Sequence, residues 1–197
     1  MANGQWPIAN SQWPALLNTV TRRNDMTDRL PPLAAPLAPS FATSFATQPG
    51  SAESHWQPQP ANGFVEVHVS RHRSKTRTAF ESGLQEIAVG GHVREHAHDP
   101  HEELILVMAG SGTAVIDGER YAMQPGTTLY LAPNSRHTFL NEGQEPLKFF
   151  WVLMPGGLSD FFAAIGRERQ AGQPAPAPFS RPVNVDQIEA DTVFVKS

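Results

Sequence analysis

Four of the eight histidines, His92, His96, His98 and His101, fall between positions 92 and 101, and Glu102 and Glu103 follow at once. Imidazole and carboxylate are nitrogen and oxygen donors to divalent metals, so a cluster of this kind is a candidate metal site. On an extended backbone the two-residue period places His92, Arg94, His96 and His98 on one face and Val93, Glu95 and Ala97 on the other. His96 and His98 can then bind one ion together. Glu103, opening the next strand, can reach the same point because paired strands lie about 5 Å apart. A second block, Pro125-Gly126 through Pro133 to His137 and Asn141, supplies a fourth donor at a strand start. Any one of these histidines alone reads as a surface or hydrogen-bonded residue; the set is what points to a metal. With no cysteine in the chain, thiolate sites and disulfides are excluded.

Strands must hold these side chains. Phe64, Val65, Val67 and Val69 alternate with Glu66, His68 and Ser70, and a second run spans Leu84–Val89. Further runs cover Glu103–Ala109, Thr113–Ile116, Glu119–Met123, Thr127–Leu131, His137–Leu140 and Leu147–Met154. Asp117-Gly118 between two runs is a two-residue hairpin signal. Short strands, tight turns and no helical period between them predict an all-β antiparallel sandwich or barrel. After Pro155-Gly156-Gly157, the spacing of Leu158, Phe161, Phe162 and Ile165 predicts one helix over Leu158–Gln170. Residues 171–182 are Pro/Ala-rich, and Val183–Val195 reads as a terminal strand or arm.

Three segments result: a flexible extension at 1–62, a β-barrel at 63–157, and a helix with a C-terminal arm packed on the barrel at 158–197. Nine of the 18 prolines precede Asn62, in a composition poor at building a core. Within the extension Gln5-Trp6-Pro7 recurs as Gln12-Trp13-Pro14, either a coincidence of biased composition or an arm whose Trp6 and Trp13 dock on a neighbouring subunit. Met26 is an alternative start. Arg22 and Arg23 precede an Ala-rich stretch, but Pro31, Pro32, Pro36 and Pro39 interrupt it, and a cytoplasmic location is expected. The formal charge of −4 argues against a nucleic-acid partner, and the lack of a DNA-binding helix pair in 1–62 weighs against a sensor module. No apolar run approaches the roughly 20 residues of a membrane span.

On these residues the chain resembles the cupin superfamily. That family's first motif, G-x5-H-x-H-x3–4-E-x6-G, is filled by Gly90, His96, His98, Glu103 and Gly110. Its second, G-x5-P-x-G-x2-H-x3-N, is followed by Gly126, Pro133, His137 and Asn141, with proline one residue late and Ser135 near the place of the second glycine. The 15 residues between the motifs are typical of compact microbial members. The likeness spans about residues 64–155, in the manner of small quercetinase- or dioxygenase-like proteins. It implies a double-stranded β-helix, or jelly-roll, barrel with His96, His98, Glu103 and His137 turned inward onto one metal, and a homodimer. Only Glu103 satisfies both spacings of the first motif, and strand alternation turns Glu102 away. His101, in the same turn, is expected to support the ligands or line the rim, with direct ligation as the alternative.

Three imidazoles and a carboxylate suit Fe(II), placed first here, as well as manganese, nickel, zinc or copper. A six-coordinate ion would keep two positions for substrate or O₂, the basis of oxygenase or Lewis-acid chemistry. If alternation holds, Glu103 shares its face with Ile105 and Val107, and His137 with Phe139, giving a mainly apolar pocket. Leu147, Phe149, Trp151 and Leu153 share one face of the last strand, and both of its faces are expected to be buried. Phe139 and Trp151 are candidates for substrate contact, with core packing or a dimer interface as the alternative. Arg94 could pair an anionic substrate group, and His92 could lie at the mouth. The expected function is metal-dependent and dioxygenase-like, on a small aromatic or enolisable substrate. The alternatives are a non-redox isomerase, lyase or decarboxylase, and a small-molecule sensor without turnover.

Overall fold

The computed structural model describes residues 44–195 apart from Lys75 and Arg77, so the Trp6/Trp13 arm and the alternative start at Met26 lie outside the described residues. Along the chain run β1 (Glu53–Trp56), β2 (Phe64–Val69), β3 (Glu81–Ile87), β4 (His92–His96), β5 (Glu102–Ala109), β6 (Gly112–Ile116) and β7 (Glu119–Met123). They are followed by β8 (Thr128–Leu131), β9 (His137–Leu140), β10 (Leu147–Met154), α1 (Leu158–Ile165), β11 (Arg167–Glu168) and α2 (Val185–Ala190). Every ladder is antiparallel. One sheet has seven strands in the order β11-β1-β2-β3-β10-β5-β8 and the other four, β4-β9-β6-β7.

The chain crosses repeatedly between the sheets, and their inner faces make one core. Ile105, Val107, Leu131, Phe149 and Trp151 of the larger sheet meet Ala114, Met123 and Phe139 of the smaller. Phe139 and Phe149 bring the sheets into contact edge to face at 5.2 Å between ring centroids. The expected closed barrel is not seen: among the described residues the two sheets are joined by side chains and share no backbone ladder, so this is an open two-sheet, cupin-like arrangement.

Local chemistry explains the elements. Asp117 and Gly118 both take positive φ, at 49° and 88°, and join β6 to β7 with Ile116 opposite Glu119, the two-residue turn foreseen. On β10, Leu147, Phe149, Trp151 and Leu153 are fully buried. The opposite face is half-buried rather than buried, because it lies on the outer side of the larger sheet. Trp151 stacks over Gly83 of β3, where a Cβ would stand 2.7 Å from the indole, so only glycine leaves room for the ring. Asn141 donates from Nδ2 to the carbonyls of Ile87, Ala88 and Glu145, tying the end of β9 to the end of β3 and to the approach to β10.

Two helices stand where one was expected. The first is shorter than its apolar spacing suggested, ending at Gly166, after which β11 pairs with β1. Buried Glu81 accepts from the N–H and hydroxyl of Ser159, both at 2.9 Å, and so satisfies a free donor in the first turn of α1. The second, α2, lies in the stretch read as a terminal strand or arm, whose extended character survives only as one bridge between Phe194 and His98. The segment 53–56, placed by composition in the extension, is β1 and pairs with β2. Among the described residues no helix is long and apolar enough to cross a membrane.

Candidate metal centre

The four foreseen donors come together across the two sheets. His96 closes β4 and lies in register with His137, the first residue of β9. His98 follows two residues on, and Glu103, second in β5, faces them from the larger sheet. One ligand atom from each lies within 4.8 Å of all the others. The alternation of β5 is as expected, with Glu103, Ile105 and Val107 buried and Leu104 and Leu106 exposed. Glu102 turns outward and accepts from the Tyr130 hydroxyl at 2.7 Å.

In β4 strict alternation fails. Val93 pairs with Phe139 and His96 with His137, so three steps on β4 match two on β9. The extra residue is a bulge, and it turns Val93 and His96 to the same side, where simple alternation opposed them.

All three imidazoles are oriented in one way. Nδ1 of His96 bonds the carbonyl of Arg94 at 2.8 Å, that of His98 the carbonyl of Val193 at 3.0 Å, and that of His137 the carbonyl of Ser135 at 2.8 Å. A carbonyl only accepts, so each Nδ1 carries the proton and each neutral ring presents the lone pair of Nε2. His137 Nε2 lies 3.4 Å from Glu103 Oε2 and His98 Nε2 3.7 Å from it. His137 Nε2 and Glu103 Oε2 are buried without a hydrogen-bond partner among the described residues. Lone pairs of neutral imidazoles converging on a carboxylate oxygen repel one another unless a cation stands among them. Burial first, then the charges of His137 and His98, hold His96 well below the usual imidazole pKa. Burial also lowers His98, against the opposing pull of Glu103. Protons are therefore kept off two of the donors, and the residues fit a divalent ion.

Two supports of this arrangement escaped the sequence reading. Asp117, in the β6–β7 turn, accepts from the Ser135 hydroxyl at 2.5 Å and from the Arg136 N–H at 2.8 Å, which holds its exposed carboxyl below the usual carboxylate range. The clasp fixes the residue whose carbonyl orients His137. The only hint was Ser135 near the place where the family pattern has glycine. The C-terminal segment supplies the other support: besides the Val193 carbonyl, the ring of Phe194 packs 5.3 Å from that of His96 and 5.0 Å from that of His98. The Val195 N–H also bonds the Ala97 carbonyl at 2.9 Å.

A pocket opens onto His96, His98 and Glu103, walled by Phe139, Phe161, Phe162, Phe194 and Ile165. The foreseen apolar character holds, with α1 and the C-terminal segment as its source; Ile105 and Val107 pack in the core instead. Phe139 and His92 line the pocket, while Trp151 does not and is fully buried between Gly83 and Phe162. His101 is buried behind His98, with ring centroids 6.2 Å apart, and burial lowers its pKa; it is outside the four-donor cluster. Arg94 reaches the pocket but is bonded to Glu189 of α2 at 2.5 Å. Unforeseen polar groups also line it: Arg181, Glu189, and the amides of Gln57 and Gln85, joined at 2.7 Å.

A cupin domain model matches residues 83–153, which contain all four donors. The chain is 30% identical over 69 residues to an uncharacterized protein of Methanocaldococcus jannaschii, covering 35% of this chain and 55% of that one. It is 29% identical over 77 residues to quercetin 2,3-dioxygenase of Bacillus subtilis, covering 39% and 23%. The chain thus spans about half the length of the first relative and under a quarter of the second. Among solved structures it is similar to the polyketide cyclase RemF of Streptomyces resistomycificus, with a TM-score of 0.51 and 16% identity over 57% of this chain and 80% of that one, a likeness of fold. Motif spacing, domain match and converging donors lead to one conclusion: the chain carries a cupin-superfamily domain with a candidate metal centre at His96, His98, Glu103 and His137.

Proposed function

We propose that this chain is a metal-dependent enzyme of dioxygenase type, acting on a small aromatic or enolisable substrate with one divalent ion, Fe(II) first, held by His96, His98, Glu103 and His137. The observation that carries this reading is the convergence of four donors, three of them oriented imidazoles, beside a pocket onto which His96, His98 and Glu103 open and whose walls are largely apolar. The local likeness to quercetin 2,3-dioxygenase supports the choice of oxygen chemistry. When bound, the ion supplies Lewis acidity toward an enolic or catecholic oxygen and, if redox-active, electron transfer in reaction with O₂.

The chain's own residues do the rest. The carbonyls of Arg94, Val193 and Ser135 keep the Nε2 lone pairs free, and Glu103 contributes the single negative charge among the four donors. Phe139, Phe161, Phe162 and Phe194 exclude water and offer faces to a planar substrate. Gln57 donates from Nε2 to the carbonyls of Phe64 and Glu86, so its oxygen must accept from Gln85. That chain fixes the Gln85 amide in the wall, where its own oxygen can accept from a substrate hydroxyl. Oxygen-electrode measurements on Fe(II)-loaded protein against a panel of catechols, flavonols and enolisable diketones test the reading. Substrate-dependent uptake, abolished in Glu103→Ala, is expected; zinc or nickel content with no uptake for any of them would contradict it and favour a non-redox reaction.

A further inference from the structure

Apart from His92, His96, His98 and Glu103, the pocket is lined by three ionisable side chains: Arg94, Arg181 and Glu189. Both guanidiniums bond the same oxygen, Glu189 Oε1, Arg94 at 2.5 Å and Arg181 at 2.6 Å. Two cations share one carboxylate, so one positive charge is left over. The two arginines stand in different surroundings. Arg94 has 47% of its side chain exposed, where water compensates its charge; Arg181 has 16%, and its Nη1 is buried without a hydrogen-bond partner among the described residues. A guanidinium withdrawn from water and only half paired is unfavourable until an anion completes it. Its fork matches a carboxylate in two parallel hydrogen bonds, a match that a neutral amide cannot reproduce. Around it the pocket is aromatic, with the Phe161 ring 5.9 Å from the guanidinium carbon.

We propose that Arg181 determines specificity by receiving the carboxylate of an aromatic monocarboxylic acid, whose ring lies among Phe139, Phe161, Phe162 and Phe194. The proposal rests on reading this pocket as the substrate site, but not on the metal. Arg94, tied to Glu189 and half in water, is secondary, and Glu189 bridges the two guanidiniums through one oxygen. If Arg181 did no more than fasten α2 through Glu189, the pocket would not distinguish a carboxylate from its neutral isostere.

The test uses the full chain, metal-stripped by chelation and, separately, loaded with zinc, titrated by ¹⁹F NMR with 4-fluorobenzoate and 4-fluorobenzamide. Wild-type protein is expected to bind the acid about tenfold more tightly than the amide in both states, as a charge-assisted pair allows. Arg181→Gln should remove that preference with amide affinity unchanged, and Arg181→Lys, which keeps the charge and guards against a folding defect in the glutamine variant, should retain part of it. Equal binding of acid and amide by the metal-stripped wild type, a preference unchanged in Arg181→Gln, or a preference seen only with zinc would each overturn the proposal. Failure to take up zinc with the preference intact would count against the metal centre and leave Arg181 in its role.

Discussion

Each of the three imidazoles is turned by a carbonyl on its far nitrogen, and two of those carbonyls, Arg94 and Ser135, lie only two residues from the ring they hold. Orientation is thus built into the local backbone, and the Asp117 clasp on Ser135 and Arg136 secures it for His137. The same burial that readies His96 and His98 for a metal has a consequence for stability. Their folded-state pKa values lie below the ordinary 6.5, so in acid the unfolded chain binds more protons than the folded one. The contribution of these two groups to the stability of metal-free protein should therefore be complete above pH about 6.5 and be lost as the pH falls from there through the folded-state values. Chemical denaturation of chelator-treated protein across pH 5 to 8 checks this, and a midpoint that rises as pH drops below 6.5 would show the sign to be wrong.

At the scale of elements, what was legible in the sequence is what local periodicity encodes. The two-residue period of β5 placed Glu103 inward and Glu102 outward, and Asp117-Gly118 announced its hairpin. The bulge in β4 was not legible, because an extra residue in one strand is defined only against its partner, β9. Arg181 sits in a Pro/Ala-rich stretch with no period, and its partner Glu189 becomes meaningful only once the folded α2 brings it to Arg181 and Arg94. The Val193 carbonyl reaches His98 across 95 residues of chain, a contact with no local signature beyond the aromatic that follows it. Ending the chain after Asp191 should remove that carbonyl and the Phe194 ring together. Support of this kind around a metal ligand is worth about 10- to 100-fold in affinity. Competition with a fluorescent chelator should show a weakening of that order with the far-UV circular dichroism retained; unchanged affinity would mean that the segment packs on the site without holding it.

For the whole molecule, two antiparallel sheets meeting through their side chains set His96 and His137 on one side of a cleft and Glu103 on the other, with His98 supplied by the β4–β5 connection, so the candidate centre also joins the layers. The outer face of β5 exposes Leu104, Leu106 and Met108, and Tyr130 of β8 stands exposed beside them. We propose this apolar strip as the contact face of the homodimer that the family resemblance implies. Size-exclusion chromatography with light scattering should give twice the 21.5 kDa chain mass, and a mass of one chain at micromolar concentration would rule the dimer out.

His96 and His137 of one sheet, Glu103 of the other and His98 of the β4–β5 connection should together hold one ion. Bound metal is measured with inductively coupled plasma mass spectrometry, on protein purified without added metal or a chelating column. His96→Ala and Glu103→Ala, each shown to be folded, are measured in parallel. About one divalent ion per wild-type chain, and well under a tenth of that in either variant, is the expected result given four-donor coordination. Wild-type protein that neither carries a divalent ion nor takes one up on reconstitution, or variants that retain it in full, would contradict the account.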